Sequence, residues 1–127
     1  MLISEVEDKL RQIKIENYIW IIYIIIIVIS YYSNYLEKDY FVNNSIESKE
    51  KYRESLIIIF SILLIIYLYF TVDAYKSVLS LKENDSKEKK DLVTLSFIGS
   101  FLILISGIIF LYVAYNDYNL DVELAFN

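Results

Sequence analysis

Residues 17–36 read NYIWIIYIIIIVISYYSNYL and contain no charged side chain. The same is true of residues 55–72, SLIIIFSILLIIYLYFTV, and of residues 92–116, LVTLSFIGSFLILISGIIFLYVAYN. A helix needs about 20 apolar residues to cross the hydrocarbon core of a bilayer, with a usual range of roughly 17 to 25. The three segments therefore predict an all-α integral membrane protein, a three-helix bundle with one transmembrane helix in each segment.

The rest of the chain is short, so we predict one membrane domain over residues 1–127. Within residues 1–16, apolar residues recur every three or four positions among charged ones, which predicts an N-terminal amphipathic helix. Ser4 and Glu7 fit a capping box at its start. This helix lies along the membrane interface, packs on a partner or continues into the first span. The first span has no small-x-small cleavage site after it, so we interpret it as a retained signal anchor.

The two charged connections contain neither glycine nor proline. Ser45, Glu47 and Glu50 are typical of a helix start, and we expect a helix from about residue 46 through the second span to about residue 81. Residues 84–86 then form a turn, and Asp85 and Glu88 are candidates to cap the third helix. The result is a helical hairpin that extends a few turns beyond the membrane.

Lysine and arginine set the predicted orientation, because bases beside membrane helices are retained in the cytoplasm. The N-terminal tail and the second connection hold most of them: Lys9, Arg11, Lys14, Lys76, Lys82, Lys87, Lys89 and Lys90. The first connection and the acidic tail, residues 117–127, hold the others: Lys38, Lys49, Lys51 and Arg53. We therefore expect a multi-pass protein of the cytoplasmic membrane with the N-terminus inside and the C-terminus outside.

Composition excludes several classes of function. The net charge of −5 argues against a nucleic-acid partner. Cysteine and histidine are absent, and the spans contain no ionisable aspartate, glutamate, lysine or arginine, which argues against a proton-coupled transporter. We predict no catalytic residue, cofactor or metal site. Heavy use of isoleucine, lysine, asparagine and tyrosine indicates AT-rich coding, as in a low-GC bacterium.

Small residues are organised only in the third span. Their spacing places them along one helix face, and small residues let helix backbones approach closely in lipid. The predicted helix-packing face consists of Ser96, Gly99, Ser100, Ser106 and Gly107. It meets either the protein's own helices or a neighbouring subunit.

The acidic tail alternates apolar and polar residues, a pattern typical of a strand with one apolar face. Its apolar positions are Leu120, Val122, Leu124 and Phe126. A lone strand needs the sheet edge of a partner, so these residues are a candidate partner-binding site. A frayed terminus on the membrane surface is the alternative.

These observations predict a non-enzymatic accessory or assembly subunit that acts through helix–helix contacts. Its expected partners are the lipid bilayer and either other membrane protein subunits or further copies of itself. The alternative is a homo-oligomeric pore or channel, similar in size to a holin, with Ser30, Ser61 and Ser106 lining the channel.

Overall fold

A computed structural model describes residues 2–124 and is all-helical over its regular parts. The helices are α1, Ile3–Asn43, α2, Ile46–Leu79, and α3, Lys87–Asn116. Each is long and apolar enough to cross a membrane, and each contains one of the three predicted apolar segments. The predictions of an all-α fold and of three candidate spans are confirmed.

The N-terminal amphipathic segment is not a separate helix. It is continuous with the first span in the 41-residue helix α1, which is about 60 Å long at 1.5 Å per residue. The predicted capping box at Ser4 is wrong, because the N-cap residue is Leu2, two residues before Ser4. There the backbone N–H of Leu2 donates to the Glu5 carboxylate at 3.2 Å. Since a bilayer core is about 30 Å thick, α1 is long enough to project beyond it.

Only Asn44 and Ser45 separate α1 from α2. Asn44 adopts the left-handed conformation with φ 54° and ψ 34°, which asparagine tolerates better than most residues. The Ser45 hydroxyl accepts a hydrogen bond from the backbone N–H of Ser48 at 3.2 Å and so caps α2. The predicted start of α2 is confirmed, whereas its end lies at Leu79 rather than near residue 81.

The start of α3 is capped by a different residue than predicted. Asp85 accepts a hydrogen bond from the backbone N–H of Lys82 at 2.7 Å, which stabilises the turn. The side chain that caps α3 is Ser86, whose hydroxyl accepts from the backbone N–H of Lys89 at 3.1 Å. A serine one residue before the first helical position has the short oxygen that capping requires.

Helix α2 lies between the other two helices. It packs against α1 and against α3, but no Cα of α1 comes within 8 Å of a Cα of α3. Buried residues on α1 recur seven apart at Ile19, Ile26 and Ser33, and those on α3 at Gly107 and Ala114. A seven-residue repeat keeps the same face of a helix on its neighbour. The predicted bundle is therefore an open one, in which α2 contributes most of the buried side chains.

Candidate functional site

Two of the five residues of the predicted helix-packing face contact α2. A Cβ on Gly107 would lie 3.0 Å from the Tyr67 ring and 3.4 Å from a methyl of Leu64, so the absence of a side chain allows the close approach. The backbone carbonyl of Ser100 accepts a hydrogen bond from the Thr71 hydroxyl at 3.1 Å. Ala114, seven residues after Gly107 and 4% exposed, extends the same contact. Sequence reasoning missed Ala114, although the seven-residue spacing indicates it.

The other three residues of the predicted face lie elsewhere. A Cβ on Gly99 would meet no atom within 4 Å, so this glycine faces open space. Ser106 is exposed, and its hydroxyl donates to the carbonyl of Leu102 at 3.0 Å. Ser96 is also exposed and lines a cavity between the helices. The face therefore divides into a side that contacts α2 and an uncovered edge at Gly99 and Ser106.

The α1–α2 contact is joined by polar side chains that sequence reasoning did not identify. The hydroxyls of Ser33 and Ser55 lie 2.6 Å apart and are both buried. Each also lies within donating distance of a carbonyl of its own helix, Ile29 for Ser33 and Tyr52 for Ser55. Because each hydroxyl has one hydrogen, the serine that donates across the interface does so in place of the bond to its own carbonyl. The seven-residue spacing from Ile26 to Ser33 is the signal that could have found this contact.

At the tip of the α1–α2 hairpin, the Asp39 carboxylate accepts hydrogen bonds from the side chains of Ser48 and Asn43. These bonds lower the pKa of Asp39, since they stabilise the charged form. Lys51 forms an ion pair with Glu47 at 2.9 Å, which raises the pKa of Lys51. The charged hairpin tip is thus held by local side-chain contacts.

At the opposite end of the hairpin, the Gln12 side-chain amide donates to the Asp73 carboxylate at 2.6 Å. Asp73 comes directly after the second apolar segment. It lines a cavity of about 420 Å³. The walls of this cavity come from all three helices: Tyr23, Tyr67, Phe70, Asp73, Ala74, Ser77, Val93, Ser96, Ser100 and Ile103. Sequence reasoning missed the cavity, because it depends on α1 and α3 remaining apart on either side of α2.

The described part of the acidic tail, residues 117–124, forms no strand. The Asp117 carboxylate accepts hydrogen bonds from the backbone N–H groups of Asp121 and Val122 at 2.9 and 3.0 Å, which turns the chain back. Leu124 is buried in the core, and Leu120 packs against it. The expectation that these apolar residues have no partner within the chain is therefore wrong for both. Val122 is 53% exposed, and Phe126 lies outside the described residues.

Arg53 of α2 contacts both the end of α3 and the start of the tail. Its guanidinium donates to the carbonyl of Tyr115 at 2.9 Å and lies over the Tyr118 ring, 4.2 Å from the ring centroid. A guanidinium over an aromatic face is attracted by the negative face of the ring. The partner-binding role of the tail stays a prediction, and among Leu120, Val122 and Leu124 the most accessible side chain for it is that of Val122.

Two of the serines considered for a pore are hydrogen-bonded to their own helix. Ser30 donates to the carbonyl of Ile26 at 2.7 Å, as Ser106 does to Leu102. Serine in a membrane helix commonly bonds to the carbonyl one turn before it.

Comparison with known proteins adds no identification. No protein-family model, curated protein or solved structure matches this chain.

Proposed function

We propose that this protein is a small, non-enzymatic, multi-pass membrane protein that acts as an accessory or assembly subunit through helix–helix contacts. The observation that supports this proposal is the uncovered edge of α3. Gly99 faces open space, and Ser106, seven residues later, is exposed on the same flank. In lipid, small residues permit the close backbone approach on which helix association depends. This edge can therefore receive a helix from another copy or from a larger membrane protein.

Cysteine cross-linking tests the assembly role, because the native chain has no cysteine. We expect Gly99→Cys and Ser106→Cys, oxidised in native membranes, to give cross-linked species with a second copy or with a larger partner that carries an accessible thiol. Ile27→Cys is the matched control, since Ile27 is 65% exposed on α1, a helix with no Cα within 8 Å of a Cα of α3. Cross-linking that is equal at all three positions, or absent from both α3 positions, contradicts the proposal.

A second experiment distinguishes the assembly role from the alternative pore. Purified protein reconstituted in liposomes is expected to give no ion flux above that of empty liposomes. A reproducible flux with the protein alone favours the homo-oligomeric pore instead.

We further propose a location in a bacterial cytoplasmic membrane with the N-terminus inside and the C-terminus outside. The distribution of lysine and arginine supports this orientation. A reporter fused after Asn127 is expected to be active outside the cytoplasm, and one inserted at Asp85 to be active inside. Export of the Asp85 fusion contradicts the orientation.

A further inference from the structure

The cavity beside Asp73, at the end of the hairpin opposite its tip, is lined by a carboxylate that forms no ion pair within residues 2–124. Among residues 2–124, no lysine or arginine nitrogen lies within 4.0 Å of the Asp73 carboxylate. The side-chain partner of Asp73 is the neutral amide of Gln12. Lys76 and Lys89 line an adjoining cavity that Asp73 also lines, and Lys89 is paired there with Asp85 at 3.2 Å. Asp73 is therefore the one charged side chain on the wall of the 420 Å³ cavity.

Three aromatic residues line the same cavity as this carboxylate. Tyr23 of α1 and both Tyr67 and Phe70 of α2 line the same cavity, and hydroxyl groups of Ser77 and Ser96 complete its polar wall. Aromatic faces attract cations, and quaternary ammonium groups in particular are bound by such rings. A carboxylate beside three rings suits a positively charged ligand better than a neutral or anionic one.

A second, mostly apolar cavity adjoins the first one, and Asp73 does not line it. This second cavity of about 260 Å³ shares Tyr67 and Ile103 with the first and ends at Phe60 and Phe110. Together the cavities have a charged end, an aromatic middle and an apolar end. Their volumes fall within or close to the range of roughly 300 to 1,000 Å³ that is usual for small-molecule sites.

We propose that these two adjoining cavities together bind a lipophilic cation, a small amphiphile with one positively charged head group and an apolar body. Its charge lies beside Asp73, and its apolar body extends past Tyr67 and Ile103 toward Phe60. A phospholipid fits less well. The lining of the two cavities offers no lysine or arginine to pair with its phosphate. This inference does not rest on assembly with a partner, and it shares one residue with the proposed assembly edge, Ser106, which also lines the second cavity.

The test uses the full chain purified in a neutral maltoside detergent, with radiolabelled decyltrimethylammonium as the probe. We expect saturable binding that excess unlabelled probe displaces and that decanol, which has the same chain without the charge, does not. Asp73→Asn is expected to weaken binding at least tenfold, since an amide can still contact Gln12 but carries no charge. Asp91→Asn, a carboxylate loss on the exposed start of α3, is the control and should bind as the native protein does.

A second variant fills the space and keeps the carboxylate. Ser96→Phe places a ring in the first cavity from an exposed position on α3, so it should abolish probe binding while the circular dichroism melting curve stays unchanged. Native-like binding by either Asp73→Asn or Ser96→Phe overturns the proposal. Displacement by decanol as effective as that by the unlabelled probe also overturns it, because the space is then an acyl-chain groove. Displacement by short-chain phosphatidylethanolamine at the same concentration as the unlabelled probe assigns the site to a lipid head group and overturns it as well.

Discussion

Helices α1 and α3 flank the same central helix but are attached to it by different means. The α1–α2 contact is joined by side-chain hydrogen bonds at both ends and in the middle, at Gln12, Ser33 and Asp39, and closes in a two-residue turn. The α2–α3 contact depends on small residues, Gly107 and Ala114, and leaves cavities along its length. Helices α1 and α2 are therefore joined by pairs of polar side chains, whereas α3 offers α2 small residues and the backbone carbonyls of Ser100 and Tyr115.

Gly107 and Gly99 provide the sharpest test of this difference. Gly107→Leu adds a side chain at a position where even a Cβ would lie 3.0 Å from the Tyr67 ring. Gly99→Leu places its side chain in open space. We expect Gly107→Leu to lower the free energy of unfolding by about 1–3 kcal/mol, as is usual for overpacking. The measurement is an SDS titration in mixed micelles. Equal tolerance of both substitutions would show that α3 is not held by close approach at Gly107.

The tail provides the second largest expected effect. Leu124 is 6% exposed and packs in the core. Leu124→Ala should therefore cost about 2 kcal/mol, at the lower end of the range for buried leucine. Val122→Ala, at a 53% exposed position, should stay within about 0.5 kcal/mol. Limited proteolysis measures the release of the tail, and faster cleavage of the Val122 variant than of the Leu124 variant contradicts the docked arrangement.

The energy of the hydrogen bond between Ser33 and Ser55, across the α1–α2 contact, can be measured directly. Ser33→Ala and Ser55→Ala, alone and together, form a double-mutant cycle on hydroxyls that lie 2.6 Å apart. We expect a coupling energy of about 0.6 kcal/mol, which is the average for side-chain hydrogen bonds between membrane helices. The free energies of unfolding of the four proteins give this value. A coupling of zero would mean that each hydroxyl bonds only to its own helix.

The smallest expected effect is the pH dependence of the stability that Asp39 contributes at the hairpin tip. The pKa of Asp39 is lower in the folded protein than its ordinary value of about 3.9. Its contribution to stability is therefore fully present above about pH 4 and is lost as the pH falls through the folded pKa. The effect is small because the carboxylate is only partly buried and is screened by solvent, and Asp39→Asn should remove it. Unfolding curves measured for both proteins from neutral pH to pH 3 test this expectation, which fails if the two respond identically.

Three candidate spans, the all-α class and the capped start of α2 follow from local sequence alone. These features depend on local properties, namely the length of an uncharged apolar run and the short side chain of Ser45. Which residues share a helix face also follows from the sequence, since seven-residue spacing is a local quantity.

The tertiary structure alone decided which of those faces is covered. Gly99 and Gly107 look equivalent in the sequence, but the register of α2 places Tyr67 against Gly107 and nothing against Gly99. The alternation in the tail predicted a strand, whereas the hydrogen bonds of Asp117 turn the chain and bring Leu124 into the core. The separation of α1 from α3 likewise creates the cavity at Asp73. Each outcome depends on how whole helices are placed relative to one another, which no local pattern specifies.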